Sequence, residues 1–279
     1  MSTTSAARPN YWLSATAIVV FAVVFLVPFA FILITAVKTQ QDAALLNFTW
    51  PTQWQFLQNL QEVIQARDYI LIIAFINSAI LTVTSVTFVV VLSAMAAFVI
   101  QRRKSRLTTA INLVILSGLI IPPAVVPTIW VLQKLSLFKT MPGLIMVEIA
   151  YAMAFCLLLF QAFIRTIPRD LDEAALIDGA GSLSLFFRVV FPLLRPIIIT
   201  VVVIQSVFIY NDFVHPLYFL PGEENATVQL TLFNFSSQYT NAYNLLFMDI
   251  MLVTIPPLIM FMIFQRQIVS GMTAGSVKG

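Results

Sequence analysis

Six stretches of the chain, residues 12–36, 73–100, 107–131, 144–163, 197–220 and 245–264, hold only three carboxylates between them and no Lys or Arg. A helix needs about 20 mainly apolar residues to cross the hydrocarbon core of a bilayer, and each stretch meets that length. The runs are continuous rather than alternating, which excludes the two-residue period of a transmembrane β-barrel. Only 10% of the residues are charged and 60% are hydrophobic, whereas a soluble domain carries about 25% charged residues. The expected fold class is therefore all-α, a polytopic membrane protein of six transmembrane helices. The first run is too long for a signal-peptide core and no small-residue cleavage pattern follows it, so it is read as a retained helix.

The basic residues orient the bundle. With the N-terminus inside, the inner segments hold Arg8, Arg102, Arg103, Lys104, Arg106, Arg165, Arg169, Arg188, Arg195, Arg266 and Lys278, and the outer ones only Lys38, Arg67, Lys134 and Lys139. Such a bias places both termini in the cytoplasm. It makes Gln101–Arg106 a stop-transfer anchor rather than a nucleic-acid site, since apolar runs flank it closely on both sides. The expected organisation is an N-terminal segment with the first helix and outer loop (1–72), a membrane domain (73–266) with an inner loop at 165–196, and an inner tail (267–279). Cys156, alone in an apolar run, reads as a small buried hydrophobe.

The loop at 165–196 is the most patterned segment. Asp170 with Glu173 three residues on reads as a capping box opening a short helix, and Asp170, Asp172 and Glu173 complement the positive end of its dipole. Ala174 and Ala175 offer a face with little side-chain bulk. Gly179 is placed to end the helix, Ser182 to cap a second one, and Pro192 to stop it. Lying flat on an anionic membrane would set three carboxylates against like charge, so a protein partner explains them better.

Glu173-Ala174-Ala175, three residues, Gly179, nine residues and then Val189-Val190-Phe191-Pro192 resembles the EAA loop of binding-protein-dependent ABC importer permeases, with Val189 and Phe191 where Ile and Leu are usual. Asn77-Ser78, Ala94 to Phe98, Asn211-Asp212-Phe213 and the ending at 271–279 are similar to the carbohydrate branch, and to the shorter permease of maltose-type importers over nearly the whole chain. The resemblance implies a type I permease fold in a prokaryotic plasma membrane. It implies a coupling helix that docks on a cytoplasmic ATPase, with Asp170, Asp172, Glu173, Ala174, Ala175, Asp178, Gly179 and Pro192 as the coupling residues. The implied partners are a second homologous permease, an ATPase dimer, an extracellular sugar-binding protein and a carbohydrate, an oligosaccharide or disaccharide. ATP and Mg would be bound by the ATPase, with no cofactor in this chain. By the same resemblance Lys278 and Gly279 lie near the ATPase.

An ionisable group at membrane depth marks a functional site by default. Tyr210, Asn211 and Asp212 offer an aromatic ring, an amide and a carboxylate suited to sugar hydroxyls, beside a helix break expected at His215 and Pro216. The alternative is an interhelical hydrogen bond that holds the bundle. Glu148 and Asp249 are expected to snorkel toward water from the outer ends of their helices, and Pro122, Pro123 and Pro127 to kink the third run.

An intramembrane enzyme would need a catalytic constellation, but the sequence has one His, one Cys and no phosphate-cradling loop. A self-sufficient secondary transporter would show internal repeats, which are not visible. A permease for another small polar solute, such as a glycerol-phosphate ester, is the nearest alternative.

Overall fold

The computed structural model describes residues 11–233, 235 and 242–274. The tail ending in Lys278 and Gly279, and Arg8 at the other end, lie outside them. Among the described residues regular structure is helical throughout, without a strand. The elements are α1 (Tyr11–Ala36), α2 (Gln40–Ala44), α3 (Phe56–Arg102), α4 (Arg106–Ser117), α5 (Val125–Lys134), α6 (Met141–Ile164), α7 (Asp170–Ile177), α8 (Ser182–Leu185), α9 (Phe191–Leu193), α10 (Arg195–Tyr210), α11 (Val214–Phe219), α12 (Val228–Thr231) and α13 (Tyr243–Ala274).

Among the described residues four helices are long and apolar enough to cross a membrane: Ala15–Ala36 within α1, Phe56–Arg102, Met141–Ile164 and Tyr243–Gln265 within α13. A fifth is reached if Ser182–Leu193 and Arg195–Tyr210, bent by 77° at their junction, count as one broken span. The third apolar run is not one helix. It divides into α4 and α5 across residues 118–124, because Pro122 and Pro123 have no N–H to donate and a pre-proline residue is pushed out of the helical region. The expected kink is thus a full break, and Pro127 is absorbed inside α5.

The chain forms two compact units. The first comprises the residues up to Ala66 together with Leu232–Val253. Its centre is polar. Lys38, only 1% exposed, donates from Nζ to the Asn47 carbonyl at 2.8 Å and to Asn47 Oδ1 at 3.1 Å. Asn59 Nδ2 donates to the carbonyls of Ala36 and Lys38 at 2.8 and 2.9 Å, and Asn59 Oδ1 accepts from Asn244 Nδ2 at 2.9 Å. Nearby, hydrogen bonds from the Thr52 hydroxyl and N–H hold the Asp42 carboxyl below the usual carboxylate range. By contrast, the apolar window of α1 is unburied and offers its surface to lipid or to another chain.

The second unit comprises Arg67–Thr231 and Thr254 onward. It opens on three consecutive residues with left-handed φ, Arg67, Asp68 and Tyr69 at 46°, 54° and 63°, so regular right-handed helix in α3 runs on either side of 67–69. Its core gathers Leu81, Val89 and Ala97 of α3, Leu157, Phe160 and Ile164 of α6, and Val190, Leu194 and Val201 of the 185–201 segment. This packing fixes the end of α3 against the loop that follows α6.

Candidate functional site

After α6 the chain turns at Arg165 and reaches α7 through Ile167, which is buried, and Pro168. Arg169 already has helical dihedrals (φ −72°, ψ −22°) and no side chain caps the helix. The expected capping box is therefore absent. Asp170 is the first helical residue rather than the cap, and the Arg169 carbonyl takes the N–H groups of Asp172 and Glu173 at 2.9 and 3.1 Å. The acidic first turn still complements the helix dipole.

The three carboxylates part company. Asp170 and Glu173 are exposed, whereas Asp172 turns inward to 8% exposure. There it forms an ion pair with Arg102 at the end of α3, both side chains being nearly buried. Arg102 also donates to the Ile167 carbonyl at 3.2 Å, and Arg169 to the Gln101 carbonyl at 3.2 Å. Gln101 Nε2 reaches Gln161 Oε1 at 3.2 Å, and Gln161 Nε2 reaches Asn112 Oδ1 at 2.6 Å. The loop is thus stitched to α3, α6 and α4 at the point where α7 begins.

Gly179 ends α7 as expected. Its φ is +82°, its N–H bonds to the Leu176 carbonyl at 3.0 Å, and the Ala180 N–H bonds to the Ala175 carbonyl at 2.9 Å. Those two bonds form a Schellman motif after the C-cap Asp178. Gly181, not Ser182, precedes α8 as its N-cap. The chain then winds as a π-helix over Phe186–Val190, a form found mostly as single turns and often at functional sites. Phe186 packs on Phe98 of α3 at 5.6 Å between ring centroids and on Phe191 at 5.6 Å. Pro192 does not stop the helix where expected, since it occupies the first turn of α9, which tolerates a missing N–H. The bend comes two residues later at Leu194. Ala174, Leu176, Ile177 and Gly179 remain exposed, Ile177 at 86%.

A second polar cluster lies at the break between α10 and α11. Asp212 Oδ1 accepts from the N–H groups of Val214 and His215 at 2.8 and 3.2 Å, capping α11. Asp212 Oδ2 contacts His215 Nδ1, which also lies 3.2 Å from Glu148 Oε1 on α6. The Tyr151 ring stacks on the His215 ring with centroids 4.7 Å apart. Glu148 is 4% exposed and Asp249 is 0% exposed, so neither snorkels to water. Glu148 is buried because it faces a histidine whose ring nitrogen replaces the lost hydration. Tyr210 is also buried, while Asn211 is exposed and accepts from Gln229 Nε2 at 3.0 Å.

Residues 89–274 match the family of binding-protein-dependent transport system inner membrane components. The chain belongs to that family. This inner-membrane component is 32% identical over 256 residues to the melibiose/raffinose/stachyose import permease protein MelC of Bacillus subtilis, covering 91% of each chain. It is 30% identical to the diacetylchitobiose uptake system permease protein NgcG of Streptomyces coelicolor, covering 95% of this chain and 88% of that one. Its fold matches a chain from a bacterial ABC transporter involved in the import of the acidic polysaccharide alginate, with a TM-score of 0.81, 19% identity, and coverage of 95% and 99%.

In this transport component Asp170, Asp172, Glu173, Ala174, Ala175, Asp178 and Gly179 share one short helix and its end, with Pro192 beyond the following turn. Sequence reading missed Arg102, whose place in a run of basic residues marks it as an anchor and gives no sign of its carboxylate partner 70 positions on. It also missed the joining of Glu148 and His215 to Asp212. With its carboxylate so engaged, Asp212→Ala removes a helix cap worth about 1 kcal/mol and strips a partner from His215. The variant is expected to melt earlier than wild type as well as transport less, whereas Asn211→Ala leaves melting unchanged. Parallel thermal unfolding and uptake measurements check this.

Proposed function

We propose that this inner-membrane component is one permease subunit of an ATP-driven importer that takes up an oligosaccharide or disaccharide delivered by an extracellular binding protein. The observation that carries the reading is α7: an exposed surface of Ala174, Leu176 and Ile177, ended at Gly179 and held to α3 by a buried ion pair. An apolar surface on a loop marks a protein contact, and one fastened to a membrane helix transmits displacement rather than absorbing it.

The subunit crosses the membrane six times on this reading, the broken third and fifth runs each counting as one span, with both termini and α7 in the cytoplasm by the charge bias. A second homologous permease completes the pathway, and a pair of ATPase subunits docks on the two α7 helices. ATP and Mg belong to those subunits, with no cofactor or catalysis in this one. Closure of the ATPase pair pushes α7, and the push passes through Asp172 and Arg102 to α3, favouring outward-open over inward-open packing. Around Asn211 the break in the fifth span presents an exposed amide, bonded to Gln229, that is suited to sugar hydroxyls. Carbohydrate as cargo is supported by the relatives, whose names specify melibiose, raffinose and stachyose in one case and diacetylchitobiose in the other.

Reconstitution tests the proposal. Vesicles holding both permeases and the ATPase are expected to accumulate labelled sugar only with ATP and the binding protein together. Uptake by this chain alone, or without ATP, would overturn the reading.

A further inference from the structure

We propose that a basic pocket at the end of α3 holds the phosphate of an anionic phospholipid whose acyl chain lies along α4; this rests on the membrane orientation proposed above. The pocket, of about 550 Å³, lies between the ends of α3 and α6 and is lined by Arg102, Lys104, Arg165 and Arg169 with Ile167 and Pro168. No carboxylate lines it, and Asp172 is paired with Arg102 at its edge. Arg102 and Arg169 are fixed by bonds to backbone carbonyls. Arg165 reaches Gln101 Oε1 only at 3.4 Å, and Lys104 and Arg165 are exposed. Two anchored guanidinium groups and two adjustable cations suit an oxyanion, which accepts several charge-assisted hydrogen bonds at once.

The tail of the ligand is specified by what adjoins the pocket. Lys104 also opens a groove lined by Arg106, Thr109, Ala110 and Leu113, a spacing that follows one face of a helix. No residue of α4 is buried, and Leu107, Leu113 and Val114 are 69%, 65% and 72% exposed. A basic site opening onto an exposed apolar track fits an amphiphile, whereas free phosphate would use the pocket alone. Basic pockets between helices on the cytoplasmic side are suited to anionic headgroups.

The experiment uses the assembled transporter in nanodiscs of phosphatidylcholine with or without phosphatidylglycerol. Native mass spectrometry is expected to find phosphatidylglycerol retained in preference to phosphatidylcholine, with a raised melting temperature that inorganic phosphate does not reproduce. Lys104→Gln with Arg165→Gln is expected to weaken retention about 30-fold, since each basic residue at a membrane surface contributes to binding an anionic lipid; Lys104→Gln alone should give an intermediate loss if the double variant fails to assemble. Equal retention of both lipids, undiminished retention in the variants, an equal shift from inorganic phosphate, or crosslinking of Lys104→Cys to the ATPase would each overturn the proposal. Cys156 is buried, so Lys104→Cys can be labelled with an impermeant maleimide. Labelling from outside intact cells overturns the orientation and this site with it. Labelling only in inverted vesicles, without a lipid preference, overturns the site alone.

Discussion

Arg102→Ala is expected to abolish most uptake while the isolated ATPase subunits keep their hydrolysis. The substitution leaves the Asp172 carboxylate buried without its counter-charge, and breaking a buried pair by removing one partner costs about 3–5 kcal/mol. Either α7 pulls away from α3 to let Asp172 reach water, or the loop loses its shape, and both sever the path from the proposed docking surface to the span. Asp172→Asn should be milder, because the amide oxygen still accepts from the guanidinium. Replacing both partners by apolar residues, Arg102→Met with Asp172→Leu, should recover stability, since well-packed hydrophobes replace buried pairs at little cost. Recovered melting with still-poor uptake would show that the pair acts in coupling, beyond holding the fold. Wild-type uptake and melting in Arg102→Ala would remove the pair from the path. Measuring uptake, ATP hydrolysis and unfolding on the same preparations separates these outcomes.

The apolar runs made helices inevitable, because backbone groups in lipid must find their partners within the segment. Run length did not reveal continuity. The 107–131 stretch has the composition of one span, yet Pro122 and Pro123 divide it into helices of 12 and 10 residues. Gly179 was legible because a left-handed helix end selects glycine by local sterics, whatever the rest of the fold does. Asp170 misled for the complementary reason: its spacing to Glu173 fits a capping box, but Arg169 entered the helix one residue earlier and its carbonyl met the first donors. Asp172, Arg102, Glu148 and His215 depend on which faces of distant helices meet. No local spacing reports that for Arg102 and Asp172, or for Glu148 and His215, which lie 67 positions apart. The end of α7 was therefore readable and the connection behind it was not.

That asymmetry makes Gly179 the cleaner probe of docking. A β-carbon at this position meets nothing within 4 Å, so the strain of a substitution is purely conformational at φ +82°. An L-residue in the left-handed region costs about 1–2 kcal/mol, Asn being the partial exception, and a branched β-carbon is a pronounced outlier there. Gly179→Val should therefore unwind the Schellman end, releasing the bonds to the Leu176 and Ala175 carbonyls and moving Leu176 and Ile177 off the docking surface. Uptake should fall about tenfold or more, the equilibrium equivalent of about 1.4 kcal/mol, with Gly179→Ala less impaired and Gly179→Asn nearest to wild type. The order matters more than any one value. It follows backbone tolerance of the left-handed region and not side-chain size, since Asn is larger than Ala. Impairment that instead rose with size, Asn worse than Ala, would mean that the partner closes directly over Gly179 and that the helix end is not what fails. Co-purification of the ATPase with each variant shows whether lost uptake follows lost docking.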